Sequence, residues 1–477
     1  MTGVLAGVVL LGADSDRPVD IRFDGERIGA ITLCDVTPDR RLLALPALVN
    51  AHDHARPLSP TSFGAAGKPL ETWLLRLGAM PAIDPYRGAL AAFARAARGG
   101  AGSVMAHYTR FHGPMSALDE AREVARAGAD VGIRVTFAVA MRDRNPLVYG
   151  PDQALLAALP TESRAIVEAQ FCGAMPTLGE QISRVEAIAA AVESPMFSVQ
   201  FGPSGPQWCS DGLLGAIAIS SARTGRRVHM HLLETLYQRA FADRHYVEGL
   251  LPRLQSLGLL SPRLTLAHCV HARTDELDAI AASGAIIATN PSSNLHLRSG
   301  VAPIAEALRR GCQVALGVDA SALDEDDDIL RELRLGHFLH GGWGFDAVIE
   351  RRDWLTRTVA HGRVANGAPG GGLLEVGQPA DVLVLDLDRL DRDAILPVAP
   401  IDLLFARATS AHIESLFVAG REIVRAGRLV RVDLEAAQTS LRDEYRRKMS
   451  TRQPFLAAFA HLEPLAVEHY RGLLGCC

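Results

Sequence analysis

Apolar positions come in short runs along this chain, and the polar residues that end those runs are unevenly chosen. Over residues 47–364, eight runs have the length and β-branched content of buried strands: "ALVNAHDH", "GSVMAHY", "RVTFAVAM", "FSVQFGP", "RVHMHLLE", "LTLAHCV", "GAIIATN" and "QVALGVDA". Between them lie amphipathic stretches with helical spacing, such as "ALDEAREVARAGADVG" and "RTDELDAIAASG". Strand–helix alternation of this kind predicts a parallel sheet in the α/β class. Eight units over about 300 residues predict a (β/α)8 TIM barrel, with chemistry at the C-terminal ends of its strands.

The two ends of the chain have a different texture. "VLAGVVLL", "VDIRF" and "FDGERIGAI" read as short strands, with Asp24-Gly25 at a hairpin turn. "GQPADVLVLDLD" and "IESLFVAGREIVRAGRLV" repeat that pattern late in the chain. The expected layout is therefore a small composite β-sandwich domain built from residues 1–46 and 365–433, around a barrel at 47–364. Residues 434–477 are rich in helix formers and are expected to pack outside.

Composition narrows the functional classes. The chain has 477 residues, 48% of them apolar, and a formal net charge of −5. That supports a large core and gives no electrostatic case for nucleic acid or an anionic membrane as partner. No apolar run approaches the roughly 18 residues of a membrane span, and the N-terminus lacks the basic start of a signal peptide. The seven cysteines, Cys34, Cys172, Cys209, Cys269, Cys312, Cys476 and Cys477, are scattered and contain no C-x-x-C pair. They fit a reducing cytoplasm rather than a disulfide framework.

The chemistry sits at the strand ends. His52 and His54 end the first run, His229 and His231 the fifth, His268 the sixth and Asp319 the eighth. Residues i and i+2 of a strand share a face, so His52 and His54 can aim at one point in the barrel mouth. Imidazoles completed by a carboxylate suit zinc or iron. Each histidine alone is more often a satisfied core or surface residue; convergence at one end of a barrel shifts that balance. Glu234 stands three residues after His231, where a carboxylate can shuttle protons or simply favour a helix N-terminus. His107 ends the second run and could line the pocket. His112, His271, His296, His337, His340 and His361 are left structural or unassigned.

"LVNAHDH", "VHMHLLET", "LAHCVH", "NPSSNLHLRSGVAPI" and "LGVDAS" resemble, in order and spacing, the amidohydrolase superfamily. They look most like its branch of S-adenosylhomocysteine, guanine and triazine aminohydrolases. The resemblance implies that His52, His54, His231 and Asp319 hold one divalent metal, usually zinc and sometimes iron. It implies Glu234 as proton shuttle, with His268 positioning the water or polarising the substrate and His229 in support. Asp319 would also accept a proton from the water. Other members bridge two metals with a carbamylated lysine on the fourth strand. Here the only lysines are Lys68 and Lys448, and "FSVQFGP" has no carboxylate to replace one. A one-metal site is expected. The P-C-x-x-C signature of cytidine-deaminase-type zinc sites is absent as well.

The function expected from these residues is hydrolytic deamination of a small amino-substituted nitrogen heterocycle, with metal-activated water attacking an amidine-like carbon and ammonia leaving. The alternatives are hydrolysis of a cyclic amide, urea, N-alkylamine or halide substituent, and a catalytically silent metal-binding scaffold. A small-molecule substrate and a homodimer or higher homo-oligomer are expected.

Substrate contacts are harder to read. "GPSGPQWCS" has Ser204 where many purine-processing members have histidine, and Trp208 near their tyrosine; "ATNPSSN" has Thr289 where histidine is frequent. Both departures put adenosine-type nucleosides in doubt. Trp208 either stacks on a planar ring or packs under a loop. Arg56 either binds a substrate carbonyl or carboxylate or makes a salt bridge at the rim. The acidic run "LDEDDDIL", 323–330, is better explained as a solvated helix N-terminus than as a field for a cationic substrate.

Overall fold

The computed structural model describes residues 3–11, 17–34, 38–111, 115–319, 325–368 and 370–475. His112, Asp324, Cys476 and Cys477 lie outside the described residues.

All eight expected central strands form, and in order: Leu48–Asp53, Ala101–Tyr108, Arg134–Met141, Phe197–Pro203, Val228–Leu232, Leu264–His268, Ile286–Thr289 and Gln313–Leu316. They make one parallel sheet in sequence order. The two end strands meet where the Val318 and Asp319 N–H groups donate to the His52 carbonyl at 3.2 and 2.9 Å. That contact brings the ends of the first and last strands together at the future site. Gly317 allows it. A Cβ there would lie 2.1 Å from Asn290 Oδ1, 2.8 Å from His52 Cβ and 2.9 Å from the His52 carbonyl oxygen. Gly317→Ala should therefore push on His52 and Asn290 together. We expect metal affinity to fall about 10–100-fold, as when a ligand loses its supporting partner. Competition with a chromophoric chelator checks this.

The strands from the two termini build a second sheet. From one edge to the other it runs Arg428–Leu429, Arg421–Arg425, Ile413–Val418, Val382–Asp386, Leu42–Pro46, Val4–Leu10, Val19–Asp24 and Arg27–Leu33. The Asp24-Gly25 turn joins the last two, with Gly25 at φ +60°. Alternation along these strands gives the sheet a core on each face. Val8, Ile21, Phe23, Ile28, Val382 and Val384 form one. Val9, Leu43, Leu45, Leu383 and Leu385 face the other way and join the main barrel core. This continuity docks the composite sheet on the barrel.

The C-terminal segment does more than pack outside. Its first helix, Leu434–Lys448, lies on helix Pro85–Arg98, and Tyr445 packs edge-on against Phe63 at 4.9 Å. Its second, Gln453–Leu473, runs over segments that follow the first, third and fifth barrel strands. Phe455 sits on Gly78, and Tyr470 packs against Tyr149 and Tyr237 at 5.1 and 5.3 Å. The apolar stripe of this helix is thus spent on loops at the catalytic end. No helix among the described residues is long and apolar enough to cross a membrane.

Candidate metal centre

The strand ends converge as their residue pattern predicts. Asp319 Oδ1 lies 3.3 Å from His52 Nε2 and 3.0 Å from His54 Nε2. His231 Nε2 lies 3.4 Å from His54 Nε2. His268 Nε2 lies 3.7 Å from Glu234 Oε2 and 3.9 Å from Asp319 Oδ2. All six side chains are shielded almost completely from solvent.

The backbone is bent to achieve this. Ala55, Leu233, His268, Cys269 and Asp319 all have positive φ, between 49° and 75°. Left-handed backbone is costly for residues with a Cβ and persists where surrounding structure holds it, typically at functional sites. Here each instance turns the chain sharply as it leaves a barrel strand.

The outward nitrogen of each ring is anchored. His54 Nδ1–H donates to the His107 carbonyl and His231 Nδ1–H to the Ser204 carbonyl, both at 2.8 Å. These bonds leave each Nε2 with a free lone pair aimed at the centre. Two such lone pairs facing each other at 3.4 Å repel, and a cation between them removes the repulsion. His52 Nδ1 meets His229 Nε2 at 2.8 Å, with the two rings stacked. His229 therefore sets the orientation of His52. Burial, followed by the neighbouring imidazoles, holds His231 and His229 well below the ordinary histidine pKa, and burial lowers His52. The rings are neutral near pH 7, as ligation requires. Three imidazoles and one carboxylate are a donor set that fits a divalent zinc-like cation.

The remaining residues surround this cluster. The Ser293 hydroxyl donates to Asp319 Oδ2 at 2.6 Å. His268 Nδ1 lies 2.9 Å from Asn294 Oδ1 and 3.1 Å from Asn290 Nδ2, so either imidazole tautomer finds a partner. Its Nε2 has no hydrogen-bond partner among the described residues and points between Glu234 and Asp319. Burial holds His268 neutral, with a pKa lowered to about 4. Glu234 is held by its N–H bond to Gln238 Oε1 at 2.9 Å, while its own Oε1 has no partner among the described residues. Burial raises the Glu234 carboxyl well above its ordinary value, and the Asp319 and Glu71 charges add to this.

Several of these residues escaped sequence reasoning. Asn290, Ser293 and Asn294 lie in the "NPSSN" segment, whose Asn-Pro start marks a helix opening at a strand end; its polar positions were the available signal. Glu71 comes from helix Leu70–Arg76. Its Oε1 accepts from Thr235 at 2.5 Å and from Tyr149 at 3.2 Å, and Oε2 has no partner among the described residues. Nothing in the local sequence distinguishes Glu71 from an ordinary first-turn acid.

The other candidates fall as follows. His107 is fully buried, its ring 4.8 Å from His231 and 5.8 Å from His54. Trp208 is half-buried, edge-on to Tyr149 at 5.5 Å. Arg56 makes no salt bridge among the described residues and lies over the Trp73 ring at 4.8 Å. The described part of the acidic run is not simply solvated. Asp328 is buried and caps helix Ile329–His340, Asp327 is buried against Arg95 at 2.9 Å, and Asp326 pairs with Arg331. Asp326, Asp327 and Asp328 thus have structural partners within the fold. His271, His337 and His361 bond to backbone carbonyls.

Glu332 gives a separate check on the packing behind the site. It is fully buried, accepts from the Ser292 N–H at 3.1 Å and the Ser292 hydroxyl, and burial pushes its carboxyl up to about 7. The folded chain thus binds this proton more tightly than the unfolded chain. The stability it contributes is complete below the ordinary glutamate pKa of 4.5 and is lost as pH rises through about 7. Glu332→Gln keeps an acceptor for Ser292 and cannot titrate. Its melting temperature should fall less than wild type's between about pH 5 and about pH 8, as thermal denaturation would show.

This geometry places the chain among known proteins. The chain belongs to the amidohydrolase family, whose model matches residues 43–423. It is 26% identical over 443 residues to the 5-methylthioadenosine/S-adenosylhomocysteine deaminase of Pyrococcus abyssi, covering 90% of this chain and 95% of that one. Two solved structures share the fold at 23% identity. One is an adenosine deaminase from Xanthomonas campestris with bound zinc, at a TM-score of 0.74 over 93% of this chain and 98% of that one. The other is atrazine chlorohydrolase from Arthrobacter aurescens TC1 complexed with zinc, at 0.73 over 93% and 99%.

Proposed function

We propose that this protein is a mononuclear, metal-dependent hydrolase that deaminates an amino-substituted nitrogen heterocycle. The observation that carries this reading is the pairing of a converged donor set, His52, His54, His231 and Asp319, with two polar groups that ligation does not need. Glu234 Oε1 and His268 Nε2 are buried, without a hydrogen-bond partner among the described residues, and next to that set. A purely structural metal site would have no use for either, which argues against a silent scaffold.

A zinc or iron ion held by the four donors supplies a hydrolytic nucleophile from water near neutral pH. Glu234, protonated through its raised pKa, delivers its proton to the ring nitrogen beside the attacked carbon, which makes that carbon electrophilic. It then takes up the remaining proton of the attacking oxygen as the ring carbonyl forms and passes it to the exocyclic amine, which leaves as ammonia; the proton held by Asp319 returns to Glu234. Asp319 accepts a proton from the attacking water, and the Ser293 hydroxyl holds its second oxygen in place. His268 donates to the oxygen that gains charge, with Asn290 and Asn294 fixing the ring.

One metal, rather than two, is supported by the fourth barrel strand. Phe197–Pro203 carries no lysine or carboxylate to bridge a second ion. The deaminase name of the Pyrococcus relative favours ammonia as the leaving group. The chlorohydrolase likeness concerns the fold and keeps halide displacement as the second reading. Metal-loaded protein should be screened against aminopurines, pterins, pyrimidines, triazines and guanidino compounds, with chelator-treated protein as control. The expected result is metal-dependent ammonia release from one of these classes. Amine, chloride or ring-opened acid as product would replace deamination with the corresponding hydrolysis.

A further inference from the structure

Arg56 stands two residues beyond the ligand His54, just after the sharp turn at Ala55 (φ 49°). Its backbone is pinned: the Arg56 and Pro57 carbonyls accept from Arg95 at 2.6 and 2.8 Å, and Arg95 is itself paired with Asp327. Its guanidinium lies over the buried Trp73 ring at 4.8 Å. Among the described residues this guanidinium has no hydrogen bond and no ion pair. Nε is shut off from solvent without a partner, whereas the two terminal nitrogens are not fully shielded.

The carboxylates that act on Arg56 are Asp319 and Asp53, and both are committed elsewhere. Asp53 accepts from the His54 and Ala55 N–H groups and from Asn50 Nδ2, each at 2.7 Å. Asp319 contacts the His52 and His54 rings and Ser293, and its charge is the one anionic donor of the metal set. With a divalent cation in place the surroundings of Arg56 become more positive. A largely desolvated cation beside such a centre is costly unless an anion comes to meet it.

We propose that Arg56 binds a planar oxyanion on the substrate, so that the heterocycle this protein deaminates carries a carboxylate or an ionised ring oxygen close to the reacting amine. The guanidinium fork matches such an O–C–O or O–C–N edge with two parallel hydrogen bonds. Trp73 fixes the plane of the fork and supplies a cation–π contact on its other side. The inference rests on the deaminase reading and goes further, because it sets this chain's preference apart from uncharged aminopurine nucleosides.

Three matched ligands test it: a carboxylated amino-heterocycle, an amino-oxo-heterocycle with an acidic ring N–H, and an uncharged amino analogue. In metal-loaded protein, the anionic members should be turned over with the higher kcat/KM. The first two arms tell a carboxylate from a ring oxyanion. Arg56→Met should lose roughly 10–100-fold in kcat/KM on the anionic member, mostly through KM, and little on the neutral one. Arg56→Lys should recover only part, since it restores the charge without the fork. Metal content should be unchanged in both variants.

Equilibrium binding of the same ligands to Glu234→Gln, with and without Arg56→Met, gives an answer independent of turnover. Tighter binding of the anionic ligand that disappears with Arg56 supports the inference even if no ammonia is ever released; that pairing would sink the deaminase reading alone. Equal losses on charged and neutral ligands, a wild-type preference for the neutral one, or loss of metal from Arg56→Met would each overturn the role assigned to Arg56.

Discussion

Glu234→Gln should leave the metal content of the protein unchanged and lower turnover by about 10²–10⁴-fold, the range that a positioned acid–base group supplies. The substitution preserves shape. The backbone N–H of residue 234 still reaches Gln238, and the side-chain amide fills the same buried space beside His268. What it removes is a titrating proton. Glu234 is suited to carry one because burial, then the Asp319 and Glu71 charges, raise its carboxyl well above the ordinary range. Glu234 is not among the four donors proposed for the metal, so metal binding and turnover should separate cleanly. Metal analysis with single-turnover kinetics distinguishes the outcomes. Full activity with metal bound would show that another group moves the proton, and Glu71, which shares this buried corner, would be the first to examine.

Asp319→Ala should have the second large effect, through the metal itself. Asp319 is the only carboxylate in the donor set, and Oδ1 sits within 3.3 Å of both His52 and His54. Loss of a mere orienting partner typically costs 10–100-fold in affinity. Loss of the anionic ligand should cost at least about 100-fold, leaving dialysed protein with little metal and no measurable turnover. The fold should survive, because the Asp319 N–H bond to the His52 carbonyl belongs to the backbone. Elemental analysis with circular dichroism reports both. Retention of full metal content by a folded Asp319→Ala protein would mean that the ion is held elsewhere.

The barrel was legible because each of its strands is an apolar run of ordinary strand length, bounded by turn residues or polar ends, and order follows from parallel alternation. The proposed ligands were legible for the same reason: a histidine or acid at the end of such a run is conspicuous, and the barrel brings all those ends together. What stayed hidden depends on contacts between residues far apart in sequence. Asn290 and Asn294 look like residues of a turn until His268 is seen between them. The burial of Asp327 needs Arg95, 232 residues away. Arg56 looked equally suited to a rim salt bridge, and only the structure shows Asp53 and Asp319 already engaged. The place of helix Gln453–Leu473 was also out of reach, because an apolar stripe shows that a helix is covered without showing by what.

The most direct test of the account is the molar ratio of ammonia released to heterocycle consumed, measured on protein loaded with one equivalent of zinc or iron. The account predicts one ammonia per substrate, abolished by chelation and restored by a single equivalent of metal. Consumption of substrate without ammonia, or activity that needs a second equivalent, would contradict it.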